Sequence, residues 1–247
     1  MTRPFMSCRL SAEMVDEFQG ELLGRSELTG VLDARYSFTA QFLLGASLHC
    51  ALAHEIEAKP VCDVTEADRM AHRSFVVSAI AQSCASLESE IWEVTNHGPG
   101  HHLGSSDLNR EGQAFLEPVA DVIDRQGTLE RFETVLHLLR KPSLPRGEQL
   151  WHHASLLVKL RNEIVHYKSN WFSKPERTRL LTELRALKHP VAPFWAEPNQ
   201  PFFPMQCLSA ACGDWAVRTG VLFLDAFYAQ VGVSSVLDGY RDRLPTN

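Results

Sequence analysis

Arg161, Asn162 and His166 stand inside LLVKLRNEIVHYK, residues Leu156 to Lys168, an otherwise apolar stretch with helical spacing. A helix that serves only as scaffold has little use for a guanidinium, a carboxamide and an imidazole there. An arginine and a histidine separated by four residues are enough for metal-free cleavage of a phosphodiester. One moves the proton and the other holds the charge that develops on the phosphate.

Other reactive residues carry weaker signals. His97, His101 and His102 fall in NHGPGHHLGSSD, a Gly/Pro/Ser stretch that breaks regular structure, and read as solvated loop histidines rather than zinc ligands. Cys207 and Cys212 are spaced too widely for a zinc knuckle, and no second pair is near, so no metal is expected. Glu88 and Glu90 do not share a helical face, so they do not read as a catalytic pair, and Glu163 is expected to pair with Lys159. The sequence has no phosphate-binding glycine loop, nucleophile elbow or H-E-x-x-H motif.

Helical periodicity dominates the elements that must position the trio. Helices are expected over 34–58, over 66–95 behind a capping signal at Thr65, and over 113–124 and 129–139. The motif helix spans about 148–168. A charged helix follows over 175–187, then a proline-rich connector over 189–204, then an apolar helix over 209–231. Residues 1–33 read as an N-terminal arm and 34–247 as a single all-α domain.

On a helical wheel centred on Leu160, the side chains of His153, Leu156, Leu157, Ile164 and Tyr167 form one core-facing stripe. Val158, Asn162 and Val165 lie opposite, flanked by Arg161 on one side and His166 on the other. Arg161 and His166 are about 140° apart, so they bracket an apolar strip. Another helix of the same chain or a second copy must cover that strip. If a second copy does, the contact is isologous and both chains line one groove.

The R-N-x-x-x-H run at Arg161–His166, preceded by Leu156–Leu160, resembles the signature of the HEPN superfamily. FVVSAIAQSCASLESE, Phe75 to Glu90, resembles that family's first core helix. The resemblance spans about Glu66 to Tyr167, with the last helix completing the bundle. It implies a HEPN-like up-and-down helical bundle with long central helices and an irregular insert. It further implies a homodimer that joins through the motif helix, with interface residues Val158, Asn162 and Val165. The implied activity is a metal-independent endoribonuclease that leaves 2′,3′-cyclic phosphate and 5′-hydroxyl ends. Arg161 then binds the scissile phosphate, His166 acts as base or acid, and Asn162 orients it. Lys159, Lys168 and Lys174 are the residues expected to touch RNA. The setting it implies is toxin–antitoxin or antiviral defence, with an antitoxin or other defence-system partner. No cofactor is implied. In one toxin branch a tyrosine stands two residues after the histidine; here that position is Lys168.

Composition narrows the alternatives. Of 247 residues, 45% are hydrophobic and 22% charged, enough for a sizeable core. The net charge of −6 argues against broad, non-specific nucleic-acid binding and leaves room for a local basic patch around the motif. No run is long and apolar enough for a membrane span, no signal peptide is visible, and six scattered cysteines suggest reduced thiols in the cytoplasm. Two other readings stay open: a non-catalytic HEPN-like module that binds a nucleotide or protein, and a helical homodimeric interaction protein.

Overall fold

Thr65 and Asp68 start the longest helix by a reciprocal cap. The threonine hydroxyl accepts from the Asp68 amide at 3.1 Å, and the Asp68 carboxylate accepts from the Thr65 amide at 2.9 Å. The helix ends at Gly98, whose φ of +85° an L side chain resists. The computed structural model describes residues 37–103, 107–167, 179–197 and 199–245, with only the backbone for 107–111. The described residues from Ser37 onward belong to one compact unit.

Eight α-helices are present among the described residues, and no strand: α1 Thr39–Glu57, α2 Glu66–His97, α3 Asp107–Leu116, α4 Ala120–Ile123, α5 Thr128–Leu138, α6 Gln149–Val165, α7 Arg179–Ala186 and α8 Ala210–Val231. The described residues are therefore all-α. Pro118 stands in a 3-10 turn that divides the helix expected over 113–124 into α3 and α4.

Helices α1, α2, α6 and α8 make the frame, with α1 and α8 both packed on α2 and α6 against α2 and α8. On α1, Leu43, Ala46, Cys50 and Ala53 recur every three or four residues and are almost fully buried. Helix α8 is apolar nearly all round and closes at Gly232, φ +86°, in the left-handed region. An added Cβ on Gly220 would stand 3.0 Å from Leu43 Cδ2 and 3.5 Å from the Ser83 carbonyl oxygen. Without a Cβ there, α8 packs closely on α1 and α2.

The core has one cluster around Phe132, Phe223, Phe227 and Tyr228 and another around Ile80, Leu156, Leu157 and Leu160. The Phe132 ring meets Phe223 and Phe227 edge-on, with centroids 5.1 and 4.9 Å away. Some polar groups in the interior pair between helices. The Glu57 carboxylate lies 2.8 Å from His72 Nε2 and accepts from the Ala210 amide, also at 2.8 Å, so it ties α1, α2 and the start of α8. The proline-rich connector holds a 3-10 turn at Pro193–Trp195, and a wider turn at Phe202–Gln206 follows. Arg69 and Arg73 lie over the Trp195 ring at 5.2 and 5.0 Å.

Candidate functional site

Helix α6 buries Ala154, Leu156, Leu157 and Leu160, and this fixes where its polar side chains point. The predicted stripe is present from Leu156 to Leu160 and then fades. Ile164 is half-buried, and the helix stops at Val165 rather than continuing through Tyr167. Tyr167 is 43% exposed, a correction to its expected place in the core. It lies outside the helix and meets the Phe203 ring at 5.6 Å.

Arg161 leans off α6 onto α2. Its Nη2 forms an ion pair and hydrogen bond with the Glu88 carboxylate, and Thr128 Oγ1 donates to the same Glu88 oxygen at 3.3 Å. The Arg161 guanidinium also reaches the Cys84 thiol. Burial pushes that thiol up to about 11, with Arg161 pulling the other way. Arg161 is thus held by its own chain, with 23% of its side chain exposed against 42% for Glu88.

His166 is the C-cap of α6, with φ −104° and ψ 23°, and its backbone N–H donates to the Asn162 carbonyl at 2.9 Å. The side chains of His166 and Asn162 are exposed. Val165, beside them, is 59% exposed. Val158, assigned from the wheel to the outer strip, is half-buried and packs on both core clusters of its own chain. Cover by the same chain is one of the two alternatives left open for the strip, and at Val158 it is the one present; α5 and α8 both contact α6. What remains open on this side is the last turn and the cap: Asn162, Val165, His166 and Tyr167.

Lys159 does not pair with Glu163 as expected; its Nζ lies 3.6 Å from Glu183 on α7. Arg179 also donates to Glu183, at 2.6 Å, and these cations hold that carboxylate below the usual range. Lys168 and Lys174 lie outside the described residues. A cleft of about 300 Å³ runs beside α6, lined in part by Thr128, Glu130, Arg146, Trp151, Ser155 and Lys159. Arg146 covers the Trp151 ring at 5.6 Å and is bound to Glu133.

The histidine loop differs from expectation. His101 is not solvated: 6% of its side chain is exposed, with Nε2 2.9 Å from Glu90 and Nδ1 3.3 Å from Glu93. Glu90 is fully buried and also accepts a hydrogen bond from the Tyr228 hydroxyl. Burial and the Glu90 charge push that phenol far up. His102 Nε2 lies 2.9 Å from the Ser234 carbonyl, and burial pulls this histidine below its ordinary value. This network docks the loop onto α2 and α8. Among the described residues, no group of three or more His, Cys, Asp or Glu side chains is arranged to hold a metal ion.

Glu88 and Thr128 escape sequence reasoning. They stand 73 and 33 positions from Arg161, and no local spacing links them to it. No protein-family model matches the chain, and no curated protein or solved structure matches it.

Proposed function

We propose that the chain is a metal-independent endoribonuclease of the HEPN type, working in the cytoplasm as a homodimer joined through α6. The observation that carries this reading is the end of α6: an R-N-x-x-x-H run whose Asn162 and His166 are exposed on its last turn and cap, with exposed Val165 and Tyr167 beside them. Exposed apolar side chains next to an exposed imidazole suit a face that a second copy completes.

In this reading RNA supplies its own nucleophile. The ribose 2′-oxygen attacks phosphorus, the bond to the 5′-oxygen breaks, and the product ends are a 2′,3′-cyclic phosphate and a 5′-hydroxyl. His166 accepts the 2′-proton or delivers one to the leaving oxygen. Arg161 places its donor fork on the non-bridging oxygens of the pentacoordinate phosphate. Asn162 orients His166 from one helical turn below. Lys159, Lys168 and Lys174 bind the flanking RNA backbone. The setting is toxin–antitoxin or antiviral defence, with an antitoxin or defence-system partner, and the fold is a HEPN-like up-and-down bundle.

A second reading, a non-catalytic HEPN-like module for a nucleotide or a protein, draws on one observation. Arg161 is engaged by Glu88 rather than free. Incubation of mixed RNAs with the purified protein in EDTA separates the two. Cleavage that both His166→Ala and Arg161→Ala abolish favours the ribonuclease. No cleavage by the wild type between about pH 5 and 9 favours the module. Light scattering checks the dimer, and a monomer at all concentrations removes the shared groove.

A further inference from the structure

Arg161 is paired before any ligand arrives. Its partner Glu88 is on a different helix, is fixed by Thr128, and is 42% exposed. The other acid of this stretch behaves differently: Glu90, two residues on, is fully buried beneath His101 and Tyr228. Solvent therefore reaches the Glu88–Arg161 pair but not Glu90. A carboxylate and a phosphodiester present the same pair of oxygens to a guanidinium fork, so both cannot take the same donors at once.

We propose that Glu88 is a built-in competitor for the phosphate site: it holds Arg161 in a self-neutralised state, and an RNA phosphodiester binds by displacing it. The inference rests on the ribonuclease reading only for the identity of the ligand. The pair is well suited to exchange. A half-exposed ion pair contributes little net stability, so a ligand bearing the same charge can replace it. Thr128 has a defined part, because its hydroxyl keeps the released carboxylate on α2 rather than following the guanidinium. Glu88 is then neither a base nor a ligand contact. It sets how much phosphate binding is needed before Arg161 is available, and it discriminates against small anions that offer a single contact.

The test is binding of a labelled 2′-O-methyl RNA, which cannot be cleaved, to the full chain by fluorescence anisotropy. Glu88→Gln keeps the shape and removes the charge; it is expected to tighten binding about 1.5- to fivefold, the range of a weak ion pair. That gain must vanish in the Arg161→Ala background. Thr128→Val lets the released carboxylate follow the guanidinium and is expected to weaken binding, by less than Glu88→Gln tightens it. The proposal is overturned if Glu88→Gln binds equally or more weakly, if the gain persists without Arg161, or if no variant binds the RNA. All-ribose RNA in EDTA is scored beside it. Arg161-dependent tightening without cleavage leaves the competition intact and removes only the ribonuclease reading.

Discussion

Gly213 of α8 faces α1 and α2 so closely that one methyl group should be measurable. A Cβ added there stands 2.8 Å from Cys50 Sγ and 3.6 Å from Ala79 Cβ. Ordinary contact between such atoms begins near 3.5 Å, about 0.7 Å beyond the first of these. Cys50 is 3% exposed and has no open side to turn towards. Overpacking of this kind costs about 1–3 kcal/mol, and replacing a helical glycine returns up to about 1 kcal/mol. With that return taken in full, Gly213→Ala should destabilise by up to about 2 kcal/mol. Gly45→Ala on α1 is the control. There the nearest atom is Gln82 Oε1, the end of a flexible side chain that can swing aside. That substitution should be neutral or stabilising by up to about 1 kcal/mol. Urea unfolding of both variants, and of Gly213→Ala in a Cys50→Ala background, completes the cycle. The cost at Gly213 should vanish once the sulfur is gone. If Gly213→Ala stabilises as much as Gly45→Ala, or costs the same without the Cys50 sulfur, α8 does not lie against α1 as described.

Three further outcomes follow from the buried polar groups. Tyr228→Phe removes one hydrogen-bond donor from the buried Glu90 carboxylate, which keeps His101, and should cost about 1–3 kcal/mol in urea unfolding; a neutral result would remove the network from the stability of the fold. Burial pulls His102, His153 and His189 below their ordinary value of 6.5, so the unfolded chain takes up protons more readily than the folded one. The stability they contribute is present above that value and is lost as pH falls through it. Glu93, raised by burial, acts in the opposite sense, as a single group against three. The urea midpoint should thus be lower at about pH 5.5 than at about pH 7.5, and a flat or rising midpoint refutes the balance. Burial also pushes the thiols of Cys84 and Cys212 up to about 11 and 12, and those of Cys50 and Cys207 up as well, while Cys62 is exposed. Alkylation of the native protein followed by peptide mass mapping should find Cys62 modified well before these four; early loss of any buried thiol contradicts the packing.

What the sequence determined by itself is local. Thr65 and Asp68 announce the start of α2 because a cap is built from residues three apart. The spacing of Leu156, Leu157 and Leu160 fixes the buried side of α6, because a helix repeats every 3.6 residues. Through that repeat it also puts Arg161 and His166 on different sides of the helix. The tertiary structure decided what each side meets. Helix propensity cannot say that α6 ends at Val165, which turns Tyr167 from a core residue into an exposed one. Nor can it say that half of the strip opposite the core, at Val158, is covered by the chain itself. The partners of the polar side chains lie furthest beyond its reach. His101 becomes a buried bridge between Glu90 and Glu93 where the chain turns back on α2, and Arg161 is neutralised by Glu88, which stands 73 positions away on another helix. The residues that could do chemistry were legible from the chain; whether each is free to do it is decided by contacts that no local spacing encodes.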